Sequence, residues 1–133
     1  MCPSAQPTLA GAVLVGVVDH ASGEPELAYL EEPIPVTEEL LALTSPVRPT
    51  EVFRFAAPCQ QGVCAHWSGS DCRLVERIVD LLPATALTLP RCAIRGECRW
   101  FAQSGGAACR RCPQVVTQNE QPSDEMREAA TPR

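Results

Sequence analysis

Apolar positions along this chain come in short runs broken by proline and glycine, and the runs differ in period. Leu9 to Val18 is brief, β-branched and punctuated by glycine, the pattern of a buried strand rather than a helix. Ala21 to Pro25, with Ser22-Gly23 inside it, reads as a turn, so Leu27 to Leu30 returns as the second strand of a hairpin. Thr37 is placed to cap a short helix through Glu38 to Leu43, with two acids in the first turn, and Pro46 ends it. Glu51 to Ala56 sets Phe53 and Phe55 against Val52 and Arg54, the period of a half-exposed strand leading to Cys59.

The strongest helical signal lies over Asp71 to Leu82, with Ser70 as N-cap, Pro83 as stop, and Leu74, Ile78, Leu81 and Leu82 on one face. A shorter helix is expected through Glu97 to Gln103, ending at Gly105-Gly106. That glycine loop would let the cysteines after it fold back towards those before it. From Thr117 onward the chain is polar and charged without apolar period, which predicts disorder.

These elements predict a small α+β domain: an N-terminal β-hairpin, two or three short helices, long Cys-bearing loops and a disordered C-terminal tail. Residues 1–58 form an acidic, β-containing front half, 59–116 the Cys-rich half of the same domain, and 117–133 the tail. The chain has 133 residues, 5% of them aromatic and 13 of them proline, so burial per residue is low and regular structure is often interrupted. Stability is therefore expected to draw on a bound metal or cluster as well as on a core.

The cysteines supply the candidate. Seven of the eight, Cys59, Cys64, Cys72, Cys92, Cys98, Cys109 and Cys112, fall in one stretch with His66 among them. The last four run C-x5-C-x10-C-x2-C and end in Cys112-Pro113. Four thiolates complete either a cubane iron–sulfur cluster or a tetrahedral zinc site. Structural zinc usually takes two tight pairs, and this chain has one C-x2-C; the wider spacings suit loops wrapped around a larger inorganic core. The expected cofactor is one [4Fe–4S] cluster on Cys92, Cys98, Cys109 and Cys112, with zinc as the alternative. Cys59, Cys64, His66 and Cys72 offer a second site, because three Cys plus His is a known zinc set and His can replace Cys on a cluster. Cys72 falls in the first turn of its helix, where backbone N–H groups favour a thiolate. Cys2, remote in sequence, is set aside as a ligand.

Charge sharpens this picture. All 11 basic residues are Arg; residues 1–47 carry seven acids and no Arg, whereas residues 48–112 carry nine Arg against five acids. Arg95, Arg99, Arg110 and Arg111 surround the last four cysteines, where positive charge compensates thiolates and favours the reduced, more negative cluster. Trp67, Trp100 and Phe101, beside candidate ligands, can exclude water from a cluster as well as pack the core. The basic patch is modest and the chain acidic overall, which disfavours nucleic acid as a partner.

No phosphate-binding loop, G-x-S-x-G or helical pair of histidines is present. Cys109-Arg-Arg-Cys112 has the spacing of a thiol oxidoreductase, but strand-like Val115-Val116 follows it instead of the pKa-lowering helix. No catalytic residue is assigned, and a non-catalytic role is favoured. No apolar run reaches the roughly 18 to 20 residues of a membrane span, and the segment before Asp19 lacks the basic start of a secretory signal, so a cytoplasmic location with reduced thiols is expected. The sequence thus predicts an iron–sulfur protein with one or two clusters, an electron carrier or redox-sensing accessory to a larger redox or biosynthetic enzyme. The alternative is a zinc-stabilised interaction module.

Overall fold

The computed structural model describes residues 1–132. Four strands, β1 (Cys2–Ala5), β2 (Val13–Asp19), β3 (Glu26–Pro35) and β4 (Phe53–Ala57), form one antiparallel sheet in the order β1-β4-β2-β3. The helices are α1 (Glu38–Ala42), α2 (Pro49–Val52), α3 (Arg73–Leu81), α4 (Arg99–Ser104), α5 (Gly106–Cys109) and α6 (Asp124–Ala130). The protein is a small α+β domain of short helices on a four-stranded sheet, with more helices than the sequence pattern implied.

The β2–β3 hairpin follows from the sequence. Alternation buries Leu14 and Val18 while Val17 and Asp19 face out, and His20 to Pro25 makes the turn. Gly16 is required by packing: a Cβ there would stand 2.7 Å from the Leu27 side chain and 2.8 Å from the Ala28 carbonyl. Thr37 caps α1 by accepting the Leu40 N–H at 3.1 Å, as its position before two acids suggested.

Strand β4 differs from its expected half-exposed state. Paired on both edges, it buries Arg54, Phe55, Ala56 and Ala57, so an Arg that alternation would turn to solvent is fully enclosed. Helix α3 begins at Arg73 with Cys72 as N-cap, two residues later than Ser70 would have set it. Its buried face is Val75, Arg77 and Ile78, with Leu74 and Leu81 only half-covered. Residues 115–116 form no strand but are buried, and residues 106–109 are helical rather than loop.

The tail also departs from expectation. Helix α6 is capped by the Ser123 hydroxyl, which accepts the Met126 N–H at 3.1 Å, and it docks on α3 through the fully buried Ala129. Arg77 of α3 donates to the Ala129 carbonyl at 2.7 Å, giving this helix end a partner that apolar period could not reveal.

Two layers of core result. Val75, Ile78, Leu82, Trp100, Ala108, Val115 and Ala129 unite the helices. On the sheet, Ile94 packs with Val15 and Ala56, and Val116 with Val18 and Leu27. The segments bearing Cys92, Cys98, Cys109 and Cys112 pack between sheet and helices, whereas the turn that carries Cys64 is exposed.

Candidate metal or cluster centres

Chain segments from both halves bring the cysteines into two groups. Cys92, Cys98, Cys109 and Cys112 all line one apolar cleft of about 430 Å³, counting its part open to solvent, with Val15, Leu27, Tyr29, Ile94, Trp100 and Phe101 in its walls. Cys98 is the N-cap of α4, Cys109 ends α5, and Cys112 starts the 3-10 turn that follows. The break between α4 and α5 is made by Gly105 at φ +62°, a left-handed conformation that glycine adopts without strain.

Arg54 of β4 lines the same cleft. Its Nε donates to the Pro3 carbonyl at 2.6 Å and its Nη1 to the carbonyls of Cys112 at 3.0 Å and Val115 at 2.7 Å. Its Nη2 donates to the Cys112 sulfur at 2.9 Å. One guanidinium thus joins β1, β4 and the last cysteine loop, and its carbon lies 5.5 Å from the Trp100 ring centre. Burial opposes the charge, yet neighbouring Cys112 and Tyr29 outweigh it and hold the guanidinium above its ordinary pKa. The sequence reading assigned Arg54 no part in a site; its only signal was an Arg amid apolar strand residues.

Burial raises the thiols of Cys92 and Cys98, in part offset by backbone N–H groups of Ile94 for the first and of Phe101 and Trp100 for the second. Without a positive centre these sulfurs hold their protons. Two buried donors in the cleft walls, the Trp100 Nε1–H and the Arg95 Nε–H, have no acceptor among the described residues. An unmet buried donor costs about 1 to 3 kcal/mol, so these groups suit an electron-rich occupant. Of the arginines expected around these cysteines, Arg95 stacks on Phe101 at 5.8 Å, Arg99 on Trp67 at 5.0 Å, and Arg111 is spent on the carbonyls of Leu82 and Ala107, both at 2.8 Å. Arg110 is exposed.

The second group lines a larger, more open groove. Cys59, Cys64, His66 and Cys72 are all there, and Cys2, remote in sequence, joins them. Cys64 is exposed in a 3-10 turn, and Cys72 caps α3. Burial pushes the Cys2 thiol up to about 11, and it raises the Cys72 thiol against the lowering effect of the Val75 and Leu74 N–H groups. His66 is turned to Arg77, whose Nη2 lies 2.7 Å from its Nδ1; burial and that cation lower its pKa.

Gln103 ties the two regions together. Its side chain accepts the Cys72 N–H and donates to the Cys72 carbonyl, both at 2.8 Å, fastening α4 to the start of α3. Trp100 lines both clefts and so forms a shared wall.

All eight cysteines are free thiols, and among the described residues no three His, Cys, Asp or Glu side chains converge as ligands of one metal ion would. No helix among those residues is long and apolar enough to cross a membrane. Compared with protein-family models, curated proteins and solved structures, the chain matches none.

Proposed function

We propose that this chain is a small iron–sulfur protein that holds a [4Fe–4S] cluster on Cys92, Cys98, Cys109 and Cys112 and serves a larger redox or biosynthetic enzyme as an electron carrier. The observation that carries this reading is that four thiols line one apolar cleft. The two buried donors without acceptors, and a buried Arg on the Cys112 sulfur, fit an anionic sulfur-rich group better than an apolar ligand.

The cluster supplies one-electron chemistry. The chain supplies the conditions for it. Trp100, Phe101 and Tyr29 exclude water, and Arg54 offsets thiolate charge at Cys112, which favours the reduced state and raises the potential. The apolar lining of the cleft also favours retention of the group through repeated oxidation and reduction, hence carrier over sensor. The docking region is assigned to the acidic front half, whose 47 residues before Arg48 carry seven acids and no Arg or Lys.

The test is an absorbance spectrum with iron, sulfide and zinc analysis on protein purified without oxygen, for wild type and Cys98→Ser. A sulfide-to-iron band with equal iron and sulfide, lost from this centre in the variant, is expected. Zinc without sulfide would instead make the chain a zinc-stabilised interaction module.

A further inference from the structure

We infer that Cys2, Cys59, Cys64 and Cys72 form a second cluster site, with Cys2 and not His66 as the fourth ligand. The inference rests on the iron–sulfur reading of the first centre for the class of its occupant, but its ligand set is argued from different residues.

Strand pairing brings Cys2 into place. β1 runs antiparallel to β4 with Cys2 opposite Ala57, two positions before Cys59, so the sheet sets the second residue of the chain beside the exit of the strand that delivers the first cysteine of the group. The position is held from both sides: the Met1 carbonyl accepts the Arg99 N–H at 2.7 Å and the Pro3 carbonyl accepts Arg54. All four cysteines line the same groove.

His66 lies in that groove but is in the wrong tautomer for a ligand. An arginine can only donate, so the Arg77 Nη2 at 2.7 Å makes Nδ1 the acceptor and leaves the proton on Nε2. A metal-bound imidazole shows the reverse arrangement: one nitrogen bound, the other donating to a carbonyl or carboxylate. Here Nδ1 is engaged by Arg77 and Nε2 carries hydrogen, so neither is available. His66 is instead a positioning residue that fastens the Cys64 loop to α3. Its own N–H reaches the Cys64 sulfur at 3.4 Å and its carbonyl accepts the Arg73 N–H at 2.8 Å.

All eight cysteines are thereby divided into two sets of four with Trp100 as the wall between them. Two clusters that share Trp100 as a wall would form a relay rather than two independent stores.

The experiment loads the full chain anaerobically with ferrous iron and sulfide and measures both, per chain, in wild type, Cys2→Ser, Cys64→Ser, His66→Ala and Cys98→Ser, with circular dichroism as the check on folding. Wild type should carry about eight irons, and Cys2→Ser and Cys64→Ser should each lose about half, as should Cys98→Ser from the other centre, while His66→Ala keeps the full amount. About four irons in wild type, unchanged in Cys2→Ser and Cys64→Ser but lost in Cys98→Ser, would overturn the second site and leave the first standing. Absence of sulfide in every protein would overturn the iron–sulfur reading itself. A readout that needs no variant is pulsed electron paramagnetic resonance of reduced wild type: a directly coordinated nitrogen would restore His66 as ligand and remove Cys2, and its absence agrees with four sulfurs at each centre.

Discussion

The two groups of cysteines are alike in residue type and differ in their surroundings. The first is a narrow cleft walled by Tyr29, Trp100 and Phe101 and braced by a fully buried Arg54; the second is a wide groove with Cys64 exposed on a 3-10 turn. Identical ligands in unlike settings should give unlike chemistry, because solvent access and hydrogen bonds to sulfur set potential and lability as firmly as ligand identity does. On the proposed reading, cover would divide function: the narrower apolar cleft would favour retention of a bound group, and the wider groove, with Cys64 exposed, would favour exchange with solvent and partners.

The largest effect should come from removing the brace. Arg54→Leu strands the carbonyls of Pro3, Cys112 and Val115 and should cost about 3 kcal/mol or more, read as a fall in the urea midpoint, with a large loss of occupancy at the first centre and a smaller one at the second, whose Cys2 it steadies through Pro3. Arg54→Lys restores charge but not the fork, and should recover only part of either. Equal damage at both centres would break the contrast. A second expected difference is kinetic. On addition of an iron chelator the absorbance should fall in two phases, the faster one absent from Cys64→Ser and the slower one absent from Cys98→Ser. A single phase would mean that the open and enclosed settings do not matter.

The smallest effect concerns the shared wall. Trp100→Phe keeps an aromatic ring at a site that is 1% exposed while removing the unpartnered N–H. Stability should change by about 1 kcal/mol or less, since the loss of packing is set against the removal of an unmet donor. If a cluster accepts that N–H, the reduction potential measured by redox titration should fall, because one stabilising contact to the reduced state is gone. An unchanged potential would mean that the indole is packing alone.

Legibility in the sequence followed the range of the forces involved. Local signals located the β2–β3 hairpin, the Thr37 cap and most of α3, since alternation, turn residues and caps act over a few positions. The grouping of the last four cysteines was also readable, because the Gly105-Gly106 break returns the chain within a short span. What escaped was held by distant partners. Cys-Pro-Ser-Ala has no strand propensity and is a strand only because β4 pairs with it. Arg54 looked outward-facing because alternation says nothing of carbonyls donated by segments far along the chain. Helix α6 is polar on nearly every face and depends on one alanine and one arginine of α3.

The reach of Arg54 also sets an order of assembly. Its bonds join residues 51, 58 and 61 positions apart, so the first strand and the last cysteine loop are fastened by one side chain midway between them. Such distant closure slows folding, because the entropy of a long loop must be lost before its contacts form. During synthesis the sheet cannot be locked until the segment around Val115 has left the ribosome, by which time all eight thiols have been exposed. Closure around Arg54 is therefore a late event, and the interval before it is when the cysteines ahead of Val115 are most open to oxidation.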